Sequence, residues 1–178
     1  MKEEIIIAGF GGQGVLSMGK VLAYAALMND LEVTWMPAYG PEQRGGTANV
    51  TVILSDSPIS SPVLDSYDVA VVLNQQSLDK FEPKIKPGGV LIYDSYGIHH
   101  RPERTDIEIH EIKAMDAAMA MGNVKTYNMI VLGALLELRG LVPMDAVMRG
   151  VKKTLPERHH HLLPLNEEAI MRGKELVK

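Results

Sequence analysis

The sequence predicts a single three-layer α/β domain over residues 1–178, with a mainly parallel sheet and one antiparallel excursion. Three observations carry that expectation. Short β-type apolar runs alternate with helical stretches along the chain. Two of those runs are apolar without a break, as in strands covered on both faces. One connection between strands is too short to hold a crossover helix, so its two strands are expected to be antiparallel neighbours.

The elements follow in order. Ile5-Ile6-Ile7-Ala8 is a β-branched run closed by Gly9 and reads as a buried strand. A helix is expected from about Gly14 to Met28. Its polar positions Gln13, Ser17, Lys20 and Tyr24 share one face, and the rest is small or aliphatic. Val33 to Met36 and the alternating Thr47 to Leu54 are the antiparallel pair, joined through Pro37 to Gly46. Asp68 to Leu73 and Val90 to Tyr93 are the unbroken apolar strands. Gln75 to Ile85 fits a crossover helix between them, ended by Pro87-Gly88-Gly89.

Ile107 to Ile112 alternates as a strand near the sheet edge does. The last third reads as helical. One helix spans Tyr127 to Leu138 with Gly140 as its C-cap, and the next opens near Pro143 and runs to Thr154. For the last helix Asn166 reads as the N-cap, with Glu167 and Glu168 in the first turn and Lys174 and Lys178 near the end. Met129 to Leu136 is apolar on every side, which requires either a central position or a subunit contact.

Composition narrows the chemistry. The chain has 18 Lys+Arg against 22 Asp+Glu, a formal net charge of -4, so no basic excess exists for nucleic-acid phosphates. It has no cysteine, which excludes disulfides, a cysteine nucleophile, thiolate zinc and cysteine-ligated iron–sulfur clusters. Any metal for electron transfer must therefore sit on another chain. No apolar stretch reaches the roughly 20 residues that span a bilayer, and Met1 is followed by Lys-Glu-Glu. The expectation is a soluble cytoplasmic protein with no membrane segment.

Two loops concentrate the glycines. Gly9-Phe10-Gly11-Gly12-Gln13-Gly14 follows a strand and opens a helix, which lets backbone N–H groups face an anion. A dinucleotide site also needs an acid at the end of the second strand, where this chain has Met36-Pro37-Ala38-Tyr39. Tight β–α packing and an anion- or partner-facing loop stay open beside the dinucleotide reading. The second loop, Met36 to Thr47, displays Tyr39, Glu42 and Arg44 on a path set by two prolines and three glycines. Arg44 suits a carboxylate or phosphate, and Gly45 and Gly46 leave their N–H groups accessible. The plainer reading is a turn braced by its own Glu42–Arg44 pair.

Ala8 to Val15 together with Tyr39-Gly40-Pro41-Glu42-Gln43-Arg44-Gly45-Gly46-Thr47-Ala48-Asn49 resembles the gamma subunit of 2-oxoacid:ferredoxin oxidoreductases. The likeness continues through Ser55-Asp56-Ser57-Pro58-Ile59 with Ser61-Pro62, Asn74-Gln75-Gln76-Ser77, Pro87-Gly88-Gly89 and Leu165 to Gly173. The resemblance implies a multi-subunit enzyme that decarboxylates a 2-oxoacid oxidatively, giving acyl-CoA, CO2 and reduced ferredoxin. It implies alpha, beta and ferredoxin-like delta partner subunits. Thiamine diphosphate and the iron–sulfur clusters would sit on those other chains, with coenzyme A as co-substrate and no cofactor held by this chain alone.

In single-chain pyruvate relatives the equivalent domain lies beside the active-site cleft and is implicated in holding coenzyme A. By that resemblance Gly11, Gly12, Gln13, Gly14, Tyr39, Glu42, Arg44, Gly45, Gly46 and Asn74 are the candidate residues of an active-site, partner or coenzyme A wall. No residue is assigned a catalytic role. The Gln-Arg-Gly-Gly-Thr-Ala-Asn form is most similar to 2-oxoglutarate-type subunits, with pyruvate, branched-chain oxoacid and indolepyruvate types open. The rival is a free-standing nucleotide-binding oxidoreductase that uses the Gly9–Gly14 loop.

Three further features are read as structural. His159-His160-His161 and His99-His100 lack accompanying ligands and read as solvated loops rather than metal sites. Asp94, at the end of a buried strand, reads as a turn cap rather than a catalytic acid. The eleven methionines read as core and interface filler.

Overall fold

The computed structural model describes residues 1–39 and 47–178. Its elements are β1 (Lys2–Phe10), α1 (Val15–Leu27), β2 (Glu32–Tyr39), β3 (Thr47–Ser55), β4 (Tyr67–Val72), α2 (Gln75–Phe81), β5 (Ile85–Asp94), β6 (Glu108–Ile112), α3 (Ala114–Ala120), α4 (Tyr127–Arg139), α5 (Met144–Thr154) and α6 (Leu163–Glu175). The six strands form one sheet in the order β2-β3-β1-β4-β5-β6. Strand β3 is antiparallel to both β1 and β2, and the pairs β1–β4, β4–β5 and β5–β6 are parallel. One strand thus runs against the other five, as the short Pro37–Gly46 connection predicts.

Alternation along β1 divides the core. Ile5 and Ile7 face the layer of α1, α3, α4, α5 and α6, while Ile6 and Ala8 face the side covered by α2. Helix α4 is central: its apolar stretch, Met129 to Leu136, is buried within this chain alone, so that composition needs no partner. Burying this stretch adds hydrophobic stabilisation of about 25 cal/mol for each Å² of apolar surface removed from water.

Several expectations shift. Strand β1 starts at Lys2 because its charges find partners: Arg139 Nε lies 2.6 Å from Glu3 Oε1, and Lys2 and Lys86 both pair with Glu4. Pro87-Gly88-Gly89 does not end the crossover helix, which stops at Phe81 and passes through a 3-10 turn at Glu82–Lys84. These residues lie inside β5, where the β4–β5 register jumps from Tyr67↔Ile85 to Val69↔Val90. Asn166 is not an N-cap. Helix α6 begins at Leu163, since Pro164 fits a first turn where no N–H is needed, and Asn166 Nδ2 donates to Leu162 O at 2.9 Å from inside the helix.

Pro143 is the residue before α5 rather than its first turn, and α3 is a helix the periodicity does not announce. His159–His161 sit in a 3-10 helix, Glu157–Leu162, rather than a loop, with His160 Nε2 against the carbonyls of Lys152 and Leu155.

Candidate functional site

The chain leaves β1 towards β2 through α1 on one face, and leaves β4 towards β5 through α2 on the other. Between β1 and β4 the connections diverge, and the carboxyl ends of these strands are where open α/β sheets commonly bind ligands. The glycine loop and Asn74 meet there. The flanks of the second loop arrive at the same edge, with Phe10 opposite Thr47 and Ala48 paired to both Gly9 and Tyr39.

The glycine loop is held from within. Phe10 N donates to Gln13 Oε1 at 2.6 Å, and Gln13 Nε2 donates to Leu73 O at 3.2 Å. Gln13 therefore spans the gap between the ends of β1 and β4, where the pyrophosphate of a dinucleotide would otherwise lie. Strand β2 carries no acid at its carboxyl end, Pro37-Ala38-Tyr39. Both features weigh against the dinucleotide reading. Gly11 and Gly12 remain exposed on the rim beside Phe10.

Gly14 caps α1 in the left-handed region, φ 75°, and its carbonyl accepts from Asn128 Nδ2 at 3.3 Å. A Cβ on residue 14 would stand 2.5 Å from that nitrogen. The first turn of α4 thus packs directly on the loop. A cleft of about 320 Å³ opens between them, lined by Gly12, Gln13, Gly14, Lys125, Tyr127 and Asn128 among others.

Beneath this cleft the first turn of α4 is anchored to Asp94, which is 1% exposed at the end of β5. Asp94 Oδ1 accepts from Tyr96 N and Oδ2 from Met115 N, each at 3.1 Å, and the Tyr127 hydroxyl faces the same carboxylate. Burial raises the Asp94 carboxyl above its ordinary value, against the pull of these donors. Burial and the Asp94 charge push the Tyr127 phenol upward in turn. This is the capping role read from the sequence, extended to three elements: the turn after β5, α3 and α4.

The candidate residues separate by position. Gly11, Gly12, Gln13 and Gly14 form the rim and one wall of the cleft. Asn74 lies below the edge, 1% exposed, where its Oδ1 accepts from Ser77 N at 2.8 Å and caps α2. Its Nδ2 is buried and has no partner among the described residues. Tyr39 ends β2, while Glu42, Arg44, Gly45 and Gly46 lie outside the described residues. Tyr127, Asn128 and Lys125 are the cleft residues that sequence reading does not single out. Among the described residues, no group of three or more His, Asp or Glu is placed to hold a metal, and no helix is long and apolar enough to cross a membrane.

The family model for pyruvate ferredoxin/flavodoxin oxidoreductase matches residues 4–176. The chain belongs to that family. Within it, the 2-oxoglutarate synthase subunit KorC of Methanocaldococcus jannaschii is 32% identical over 100% of this chain and 95% of its own. The ketoisovalerate oxidoreductase subunit VorA of Methanothermobacter thermautotrophicus is 42% identical over 80% of this chain, but the matched part is 29% of that protein. This chain thus spans about three-tenths of the length of the VorA proteins it matches. The keto/oxoacid ferredoxin oxidoreductase gamma subunit of Geobacter sulfurreducens has the same fold, with a TM-score of 0.85 and 30% identity over 99% of this chain and 97% of that one. A 2-oxoglutarate:ferredoxin oxidoreductase from Magnetococcus marinus, with 2-oxoglutarate, coenzyme A and succinyl-CoA bound, gives a TM-score of 0.89 at 28% identity. It covers 99% of this chain and 31% of that one.

Proposed function

We propose that this chain is the gamma-type subunit of a multi-subunit 2-oxoacid:ferredoxin oxidoreductase that converts 2-oxoacid, coenzyme A and oxidised ferredoxin to acyl-CoA, CO2 and reduced ferredoxin. The observation that carries the reading is the end-to-end match to KorC, together with the convergence of the glycine loop and both flanks of the second loop on one sheet edge. The chain is auxiliary to the chemistry. With no cysteine it offers no thiolate to an iron–sulfur cluster, so the clusters belong to other chains; the family resemblance implies that these are alpha, beta and ferredoxin-like delta partners and that thiamine diphosphate also lies among them.

Coenzyme A supplies the thiol that accepts the acyl group. The exposed Gly11 and Gly12 backbone fits close approach by such an extended anionic molecule, and Arg44 supplies charge for its phosphate or for a carboxylate. Gln13 and Asn128 hold that wall in shape. The subtype proposed is 2-oxoglutarate, supported by KorC relatives that match along nearly their whole length. Cytoplasmic location follows from the same reading.

The test is anaerobic purification of the chain with its partners, followed by viologen dye reduction with 2-oxoglutarate, pyruvate and 3-methyl-2-oxobutanoate in turn. Activity dependent on coenzyme A and fastest with 2-oxoglutarate is expected; a faster rate with another oxoacid would replace the subtype. Arg44→Ala is expected to raise the KM for coenzyme A about tenfold or more. Unchanged KM, turnover and assembly would remove Arg44 from the wall.

A further inference from the structure

The polar stripe of α1 is not used up by the glycine loop. Ser17 and Lys20 continue it down the helix and face a second cleft, about 470 Å³ in volume, between α1, α4, α5 and the start of α6. We propose that this cleft binds a small organic anion with an apolar body, its phosphate or carboxylate end held by Lys20 and Lys125. The proposal does not depend on the subunit reading.

Charge is the first argument. The chain carries more acids than bases, yet the lining of this cleft contains two lysines and no carboxylate. Lys2, Lys86, Lys174 and Lys178 each stand beside a carboxylate. Lys20 and Lys125, like Lys80, Lys84, Lys113, Lys152 and Lys153 elsewhere, stand beside no carboxylate among the described residues; what sets them apart is that they line one cleft together, where both ammonium groups are available to an incoming anion.

The lining chemistry is the second argument. Behind the lysines the wall is aliphatic, with Val151 and Leu162 contributed by separate elements, and it suits an apolar body. The amides at the mouth are half committed: Asn123 Oδ1 accepts from Lys125 N at 3.0 Å, and Asn166 Nδ2 donates to Leu162 O at 2.9 Å. The opposite ends, Asn123 Nδ2 and Asn166 Oδ1, are left for heteroatoms of a ligand. Size is the third. The volume falls in the range of about 300–1,000 Å³ typical of small-molecule sites, so the cleft fits a molecule better than a protein segment lying on the surface.

The same anionic, apolar-bodied chemistry is offered by a nucleotide or by a medium-chain acid, and the probes separate them. The full chain is titrated calorimetrically with AMP, octanoate and inorganic phosphate, alongside Lys20→Ala, Lys125→Ala and Leu162→Ala, with Lys84→Ala as a control outside the cleft. Saturable binding of AMP or octanoate is expected. Each cleft substitution should weaken it about tenfold, the Lys84 variant should bind as the parent does, and the Lys20 and Lys125 variants should melt like the parent without ligand. Saturation by AMP alone would identify the phosphate-bearing source, and by octanoate alone the carboxylate. Phosphate binding as tightly as either amphiphile, or no saturation by any probe up to about 5 mM, would overturn the proposal. Silence toward the probes combined with loss of co-purifying partner chains in Lys125→Ala would overturn it in favour of a docking surface.

Discussion

Asn128 and Gly14 define the wall of the edge cleft between them. The Asn128 side-chain amide donates to the Gly14 carbonyl at 3.3 Å while lying where a Cβ of residue 14 would have to go. The helix that bears Asn128 is buried at Tyr127 and from Met129 to Leu136, so it cannot withdraw to make room. Gly14→Ala meets two penalties: the left-handed φ of 75°, about 1 kcal/mol, and overpacking against Asn128, about 1–3 kcal/mol. Asn128→Ala removes the second. Chemical denaturation of the two single variants and the double variant should therefore show the double variant to be less destabilised than the sum of the singles. Strict additivity would mean that the two residues do not compete for this space.

Tyr127 governs a pH-dependent part of stability. The Asp94 carboxyl sits above its ordinary 3.8, chiefly through burial, opposed by Tyr96 N–H, the Tyr127 hydroxyl and Met115 N–H. A carboxyl raised in the fold contributes stability below its unfolded value, and that contribution is lost as pH rises through the folded one. Tyr127→Phe removes a donor to the charged form, so it raises Asp94 further and deepens the loss at neutral pH. Thermal melts should place the variant about 4 °C below the parent at pH 7, with a smaller gap near pH 4. An equal gap at both pH values would remove the hydroxyl from the account.

Glu4 has the opposite sign at the amino end of the sheet. Burial raises its carboxyl, but hydrogen bonds and charge from Lys2 and Lys86 outweigh that and leave it below its ordinary 4.5. Stability from this group is present above the unfolded value and lost as pH falls through the folded one. Glu4→Gln should melt a few degrees below the parent at pH 7 and converge with it as the pH falls through the lowered folded value of Glu4, because protonation then does the same to the parent. A constant offset across that range would assign the effect to packing.

What the sequence discloses and what it hides divide by range. Unbroken apolar runs at Val69–Leu73, after Asp68, and at Val90–Tyr93 reveal β4 and β5, because burial on both faces leaves those stretches no polar positions. The antiparallel excursion follows from a local fact, the length of one connection. By contrast, Lys2-Glu3-Glu4 hides the start of β1, since the partners that make those charges tolerable in a strand include Arg139 and Lys86. Asn128 escapes notice for the same reason: its bond to Gly14 spans 114 residues. The glycine loop is legible as a loop before a helix. Gln13 bridging to Leu73, which fills the crevice a dinucleotide would use, is not, because the same glycine spacing serves either arrangement.

Gly173 sets how closely α6 crosses α4. A Cβ there would overlap the carbonyl of Ile130, and Gly133 makes the reciprocal approach to the carbonyl of Ile170. These neighbours are backbone atoms of two helices packed into one core, so a methyl group at either position must push the helices apart rather than displace a flexible side chain. Gly173→Ala improves helix propensity by about 1 kcal/mol in isolation, yet the overpacking costs about 1–3 kcal/mol and α6 must shift as a body. The variant is expected to melt below the parent by several degrees, at about 2–4 °C for each kcal/mol in a domain of this length. Gly140→Ala is the comparison, because nothing lies near a Cβ at that position and only its left-handed φ of 56° is strained. If Gly173→Ala melted at or above the parent while Gly140→Ala fell, the close helix crossing would not be what fixes glycine at 173.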